Sequence, residues 1–247
     1  MSLRRERAGV FVSEWGDFTE MRAQWAWAAG FRWIAAQGHA GGSAPPVAHP
    51  PPAIIQRWRQ QGFDVGCWGA FGEDTDPIAA ARAANGIILN RGYSFYVANI
   101  EIPFNERAFI DEFRRLLPRF TIWLSSEITG RTESRDWGLW FNGRGATCWQ
   151  PQCYLNANPQ ATPIQAMFWA IRPKPPGYGI PRSMVKPTIG LYGQPRVPIG
   201  KYIDELSAMG PPTYAAGFSI WLGETAEQDE YAALGHAIRT RGIAKLD

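Results

Sequence analysis

The amino-acid sequence predicts an α/β fold: one closed (β/α)8 barrel, a TIM barrel, that extends as a single domain over residues 1–247. Strand-like and helix-like segments alternate along the chain, which is typical of a parallel sheet. Eight such pairs favour closure into a barrel, and no glycine-rich phosphate-binding motif follows the first strand. The length of 247 residues is close to the roughly 250 residues typical of an eight-fold barrel.

Four strand–helix pairs are predicted in the first half of the chain. The strands are short runs rich in apolar residues, and the helices are bounded by residues that favour helix ends. Thr19 is a candidate cap and Gly30 a stop for the first helix. Asp76 and Pro77 supply a cap and a first-turn proline to the third helix. The predicted pairs are strand 10–15 with helix 18–29, strand 32–37 with helix 53–61, strand 65–71 with helix 76–90, and strand 95–101 with helix 105–117.

The second half of the chain repeats the same alternation. Thr162 and Pro163 open one of its helices in the same way as Asp76 and Pro77. Pro151 weakens the prediction of the sixth strand, because proline cannot donate a ladder hydrogen bond. The predicted pairs are strand 120–126 with helix 134–141, strand 147–154 with helix 162–171, strand 184–192 with helix 199–209, and strand 215–222 with helix 226–240. Glycine- and proline-rich loops are predicted at 38–52 and 172–182.

Composition and charge exclude several classes of protein. The formal net charge of +3 comes without a block of Lys or Arg, so the sequence does not favour nucleic-acid binding. The amino terminus lacks the apolar stretch of a secretory signal, and no apolar run is long enough to span a membrane. The expectation is a cytoplasmic protein, or one that something other than its own signal delivers to a cell surface.

The cysteines and tryptophans are interpreted mainly as core residues. The three cysteines lack metal-type spacing and are predicted to be buried free thiols, and neither a metal nor a cofactor is expected. Cys148 and Cys153 would face opposite sides of one strand. The 12 tryptophans are large enough to fill a core, although in a site they could stack on sugar rings.

Residues 95–101, Phe-Tyr-Val-Ala-Asn-Ile-Glu, give the clearest indication of a site. Because strand side chains alternate between faces, Asn99 and Glu101 share one face of the predicted strand. Both faces begin apolar, as in a covered parallel sheet, and one face becomes polar only at the carboxyl end. In a barrel of this type, the carboxyl ends of the strands carry the catalytic or binding groups.

Polar residues also follow other predicted strands, and all of them would meet at one mouth of the barrel. Converging carboxylates suggest acid–base chemistry on a glycosidic bond. The candidate catalytic residues are Glu101, Glu127 and Glu224, and the candidate substrate-binding residues are Asn99, Ser13, Gln37, Gln150 and Tyr192. His39 and His49 are predicted to be exposed in or beside the 38–52 loop.

Two segments resemble the family 25 glycoside hydrolases, the barrel muramidases of bacteria and phages. Residues 9–15 are similar to that family's opening strand, and residues 99–101 are similar to its acidic pair at the end of strand four. The resemblance implies that Glu101 matches the family's proton-donating glutamate. It also implies that Phe11 and Asn99 replace two aspartates, so that the same reaction would be impaired.

Three functions are compatible with these observations. The first is a catalytically degenerate barrel that binds a cell-wall or cell-surface glycan, such as peptidoglycan, as a component of a phage tail. The second is an active glycoside hydrolase with Glu101 as general acid and Glu127 or Glu224 as its partner. The third is a structural barrel that contacts other virion proteins or its own copies.

Overall fold

The computed structural model describes residues 7–42, 49–102, 104–128, 135–141, 145–172, 178–193, 196–209 and 217–244. Eight parallel strands are hydrogen-bonded in chain order, and the last strand pairs with the first to close a barrel. Eight helices alternate with these strands in the described part of the chain. The predicted (β/α)8 barrel is therefore confirmed.

Every predicted strand and helix overlaps an observed one. The strands are β1 Ala8–Val12, β2 Phe31–Ala40, β3 Asp64–Ala70, β4 Tyr96–Asn99, β5 Ile122–Glu127, β6 Trp149–Cys153, β7 Thr188–Gly190 and β8 Ser219–Trp221. The helices are α1 Glu20–Ala29, α2 Pro52–Gln60, α3 Pro77–Arg91, α4 Glu106–Leu116, α5 Trp137–Phe141, α6 Pro163–Ile171, α7 Ile199–Ala208 and α8 Gln228–Arg241. Parts of the predicted loops, of the strand 215–222 and of the helix 134–141 lie outside the described residues.

The predicted helix ends are formed by the expected side chains and backbone conformations. Thr19 accepts a hydrogen bond from the backbone N–H of Arg22, which caps α1. Gly30 then ends α1 in the left-handed conformation, at φ 100°, which glycine adopts without steric cost. Asp76 accepts from two backbone N–H groups at the start of α3. These local signals place the helices around the barrel as the sequence predicts.

Aromatic side chains fill the inside of the barrel. We call the buried residues Phe11, Trp33, Trp68, Phe95 and Trp123 the interior aromatic cluster. Trp33, Phe95 and Trp123 form its lower part, with ring centroids 4.4–5.7 Å apart. Phe11 lies 5.6 Å from Trp33 and 5.2 Å from Trp221, which packs against the cluster from the mouth side. The barrel is therefore solid below its mouth and is not a channel.

The cysteines lie where the alternation of strand β6 predicts. Cys148 belongs to the inside of the barrel, while Cys153 packs in the layer between strands and helices. Together with Cys67, both are buried free thiols, which confirms the prediction.

The prediction that His39 is exposed is wrong. Strand β2 continues to Ala40, and an irregularity in its pairing between Gln37 and His39 shifts the alternation of its side chains. The His39 ring is fully buried and lies parallel to the Tyr96 ring. Nδ1 donates to the carbonyl of Gly41, so Nε2 accepts from the Tyr96 hydroxyl, 2.7 Å away.

Burial of His39 makes the free energy of unfolding dependent on pH. Loss of hydration lowers the pKa of His39 to about 4 from a reference value of 6.5. The unfolded chain therefore binds a proton at higher pH than the folded chain, and the stabilisation by His39 is lost as pH falls from 6.5 towards 4. We expect a loss of about 3 kcal/mol over this window.

The contribution of His39 can be isolated with His39→Gln. Urea unfolding followed by circular dichroism should show that stability falls less between pH 6.5 and pH 4 in this variant than in the unaltered protein. His236→Gln, at an exposed position on α8, is the matched control and should keep the full pH dependence. Equal pH dependence in His39→Gln and the unaltered protein would contradict this account.

Candidate functional site

The register of the sheet brings polar side chains from β4, β5 and β6 together at the mouth of the barrel. Asn99 at the end of β4 pairs with Ser125 of β5. Glu127, two residues further along β5, pairs with Gln152 of β6. Side chains with the same parity on neighbouring strands point to the same face, so these residues line the mouth above the interior aromatic cluster.

A hydrogen-bond network surrounds Glu101, which is half-buried just after β4. The Asn99 amide donates to Glu101 Oε1 over 3.1 Å. The Gln152 amide donates to the same oxygen over 3.0 Å and to the Asn99 carbonyl oxygen over 2.8 Å. Asn99 and Glu101 therefore lie together on one face, as the strand alternation predicts. The neutral amides of Asn99 and Gln152 hold one oxygen of the Glu101 carboxylate in place at the mouth.

Gln152 is the central residue that the sequence prediction missed. The prediction chose Gln150 from the same strand, although both residues have the parity that faces the inside of the barrel. The structure places Gln150 fully buried below the mouth, where its amide lies 3.5 Å from the Ser219 hydroxyl. One signal could have identified Gln152. Strand side chains alternate between faces, and this alternation continues across Pro151, so that Gln152 shares a face with Cys148 and Tyr154.

A cleft of about 200 Å³ opens between the ends of β5 and β6, next to the Gln152 amide that donates to Glu101. Glu127, Gln152 and Tyr154 line it together with residues of the loop before α6. The Tyr154 hydroxyl is buried and has no hydrogen-bond partner among the described residues. A buried hydroxyl without a partner is costly, and a ligand group entering the cleft could satisfy it.

Two tyrosines and a tryptophan form an aromatic wall at the mouth of the barrel. Tyr192, which follows β7, lies 5.6 Å from the Tyr154 ring, and Trp221 lies 6.1 Å from it. Burial raises the pKa of both tyrosines, and the negative charge of Glu101 raises each further. Tyr154, Tyr192 and Trp221 form one aromatic surface at the mouth, and Tyr154 joins it to the cleft.

Glu224 has a different environment from Glu101. It lies in a short 3₁₀ helix, Gly223–Thr225, after β8. Its Oε1 accepts from the backbone N–H groups of Ser13 and Glu14, over 3.0 and 3.1 Å. Burial raises the pKa of Glu224 against the opposing effect of these hydrogen bonds. The carboxyl group thus ties the end of β1 to the end of β8.

The remaining predicted binding residues lie around the same mouth. Ser13 is half-buried after β1 and contributes its backbone N–H to Glu224. Gln37 is half-buried on β2 and pairs in register with Trp68. Neither side chain joins the hydrogen-bond network of Glu101 in the described part of the chain. The network instead consists of Asn99, Glu101, Ser125 and Gln152.

A buried ion pair supports the strand end that carries Glu101. Arg135, just before α5, lies 3.2 Å from Glu106 at the start of α4, and both side chains are largely buried. Arg135 also donates to the carbonyl of Ile100, the residue before Glu101, over 3.1 Å. Trp140 donates from its indole nitrogen to the other oxygen of Glu106. These contacts fix the position of the Ile100 backbone and therefore of the adjacent residue Glu101.

Neither a metal-binding cluster nor a membrane-spanning helix is present in the described ranges. Among those residues, no three His, Cys, Asp or Glu side chains are grouped closely enough to hold a metal ion. None of the described helices has the length and apolar character needed to cross a membrane.

The barrel is similar to solved structures of chitinases and of chitinase-like proteins. The GH18 chitinase ChiB of Flavobacterium johnsoniae gives a TM-score of 0.64 at 10% identity, covering 94% of this chain and 93% of that one. The xylanase and α-amylase inhibitor XAIP-II of Scadoxus multiflorus gives 0.61 at 10% identity, covering 94% and 97%. A tamarind chitinase-like lectin gives 0.55 at 10% identity, covering 93% and 98%.

These similarities establish the fold and leave the family open. Their sequence identities are too low to show more than a shared (β/α)8 barrel. No protein-family model matches the chain, and neither does any curated protein. The specific resemblance to family 25 finds no support in these comparisons, since a named neighbour belongs to family 18.

Proposed function

We propose that this protein binds a glycan of N-acetylhexosamine units at the mouth of the barrel and does not cleave it. The observation that carries the proposal is the environment of Glu101. Two amides hold its Oε1, while its Oε2 makes no hydrogen bond within the described residues. A fixed carboxylate with one available oxygen is a good acceptor for sugar hydroxyl and amide groups.

The surroundings of Glu101 suit binding better than hydrolysis with two carboxylates. That reaction needs a second carboxyl group close to the first, as base or nucleophile. Asn99 occupies the neighbouring position on β4 and cannot accept a proton near neutral pH. Phe11 is buried in the interior aromatic cluster, and Glu224 accepts from backbone N–H groups just after β1. Glu127, in the adjacent cleft, is the remaining candidate partner.

The shape and lining of the mouth support a sugar ligand. Phe11, Trp68 and Trp221 close the barrel below, so a polymer would lie across the mouth. Tyr154, Tyr192 and Trp221 offer flat apolar surfaces beside polar groups, the combination that sugar rings require. The structural neighbours include a chitinase and a chitinase-like lectin, which favours N-acetylhexosamine chains.

An active hydrolase is the second candidate. Family 18 enzymes are an exception to the rule of two enzymic carboxylates, because the substrate itself assists the reaction. One carboxylic acid at the end of β4 could then be sufficient, and Glu101 occupies that place. The binding proposal and this alternative differ in one outcome, which is the release of new reducing ends.

Calorimetric titration with a hexamer of β-linked N-acetylglucosamine tests the proposal. We expect binding without release of reducing ends after prolonged incubation. Gln152→Ala should weaken binding about tenfold, because it removes one amide that orients Glu101. The matched control Gln56→Ala, at an exposed position on α2, should bind as the unaltered protein does.

Two results would overturn the binding proposal. Absence of binding to the hexamer and to purified cell-wall glycan would remove the function altogether. Release of reducing ends that stops in Glu101→Gln would establish the hydrolase instead. Assembly into a phage tail remains a prediction, and co-purification with virion particles would test it.

A further inference from the structure

The charge distribution around the mouth indicates which hexosamine it prefers. Glu101 carries a negative charge whose hydrogen-bond partners in the described chain are two uncharged amides. A half-buried carboxylate gains most from a cationic partner, because a charge-assisted hydrogen bond is stronger than a neutral one. A positively charged ligand group could therefore bind at Oε2 of Glu101.

Several arginines near this end of the barrel already have acidic partners of their own. Arg135 pairs with Glu106, and Arg196, in the loop before α7, lies 3.1 Å from Glu230. Further out, Arg22 lies 3.7 Å from Glu227, and Arg107 lies 3.4 Å from Asp136. These guanidinium groups are directed to the helix ends rather than to Glu101.

The aromatic wall of the mouth also suits a cation. An ammonium group is attracted to the faces of tyrosine and tryptophan rings within about 6 Å. Tyr154 lines the same cleft as Gln152, the residue that donates to Glu101, and its ring is 5.6 Å from Tyr192. The Tyr154 hydroxyl is buried without a partner in the described chain and can accept an N–H donor.

We propose that the mouth binds glycans with free amino groups, namely β-linked glucosamine units, more tightly than their N-acetylated or neutral counterparts. This inference rests on the proposed glycan-binding function and specifies the ligand further. The ammonium group of the sugar donates to Oε2 of Glu101 and lies against the faces of Tyr154 and Tyr192. Glycans with carboxylate or sulfate groups are repelled by the same charge.

Calorimetric titration with three hexamers tests the inference: glucosamine, N-acetylglucosamine and glucose, each β-linked. At mildly acidic pH, where the sugar amine is protonated, we expect about tenfold tighter binding of the glucosamine hexamer. High salt should reduce this preference, because exposed charges are screened. Glu101→Gln should weaken binding of the acetylated hexamer as well, because Glu101 is part of the proposed binding site, and it should abolish the preference for the glucosamine hexamer.

The matched control is Asp111→Asn, which removes the same charge from an exposed position on α4. This variant should keep the tenfold preference. Equal affinity for the glucosamine and N-acetylglucosamine hexamers would overturn the inference and leave the proposed function intact. A preference that survives in Glu101→Gln would also overturn it. Absence of binding to all three hexamers would overturn both proposals.

Discussion

Replacing Phe11 with aspartate is expected to unfold the barrel. Phe11 is fully buried in the interior aromatic cluster, between Trp33 and Trp221. Truncating a buried phenylalanine costs about 3–5 kcal/mol, and the buried carboxylate adds a desolvation cost. The total approaches the 5–15 kcal/mol that stabilises a typical domain. Urea unfolding followed by circular dichroism should show no cooperative transition, or a loss of at least about 5 kcal/mol.

Phe168→Asp is the matched control for this experiment. The Phe168 side chain is 39% exposed on α6, so the same substitution should cost less than about 1 kcal/mol. A Phe11→Asp protein that unfolds cooperatively with a loss below about 2 kcal/mol would show that the barrel interior is not packed as described. The expected result means that this position of β1 does not accommodate an acidic residue.

Arg135→Ala has the second largest expected effect, a loss of about 3–5 kcal/mol in the free energy of unfolding. The substitution leaves Glu106 buried without its cationic partner, and burial already raises the pKa of Glu106. It also removes the hydrogen bond to the carbonyl of Ile100. Chemical unfolding measures the stability, and calorimetry should show weaker binding of the N-acetylglucosamine hexamer, because Glu101 loses its support.

Arg107→Ala provides the comparison for Arg135→Ala. The pair of Arg107 and Asp136 is exposed, at 67% and 56% of the side-chain surface, and lies on the same side of the barrel. Its loss should cost less than about 1 kcal/mol, because exposed ion pairs contribute little. Equal losses in the two variants would contradict the role given to the buried pair.

The fold could be predicted from the sequence because its signals are local. The helix caps at Thr19 and Asp76 depend on residues only two or three positions away, and both form as expected. The shared face of Asn99 and Glu101 also follows from alternation within one strand, and their 3.1 Å hydrogen bond confirms it. Closure of the barrel follows from the number of strand–helix pairs.

The rest of the site depends on contacts between distant segments. The irregular pairing in β2 falls at Gly38 and turns His39 away from the predicted exposed position. Gln152 joins Glu101 across 51 positions of sequence, and Pro151 weakened the prediction of the strand on which it lies. Glu224 binds the backbone of residues more than 200 positions earlier. Such contacts follow from the closed barrel and not from local pattern.

A crystal structure of the protein soaked with the N-acetylglucosamine hexamer is the most direct test of the central claim. We predict an intact hexamer lying across the mouth, with one sugar within hydrogen-bond distance of Glu101 Oε2 and another against Tyr154 or Tyr192. A cleaved oligomer at Glu101, a hexamer bound away from the mouth, or an empty mouth would each contradict the claim.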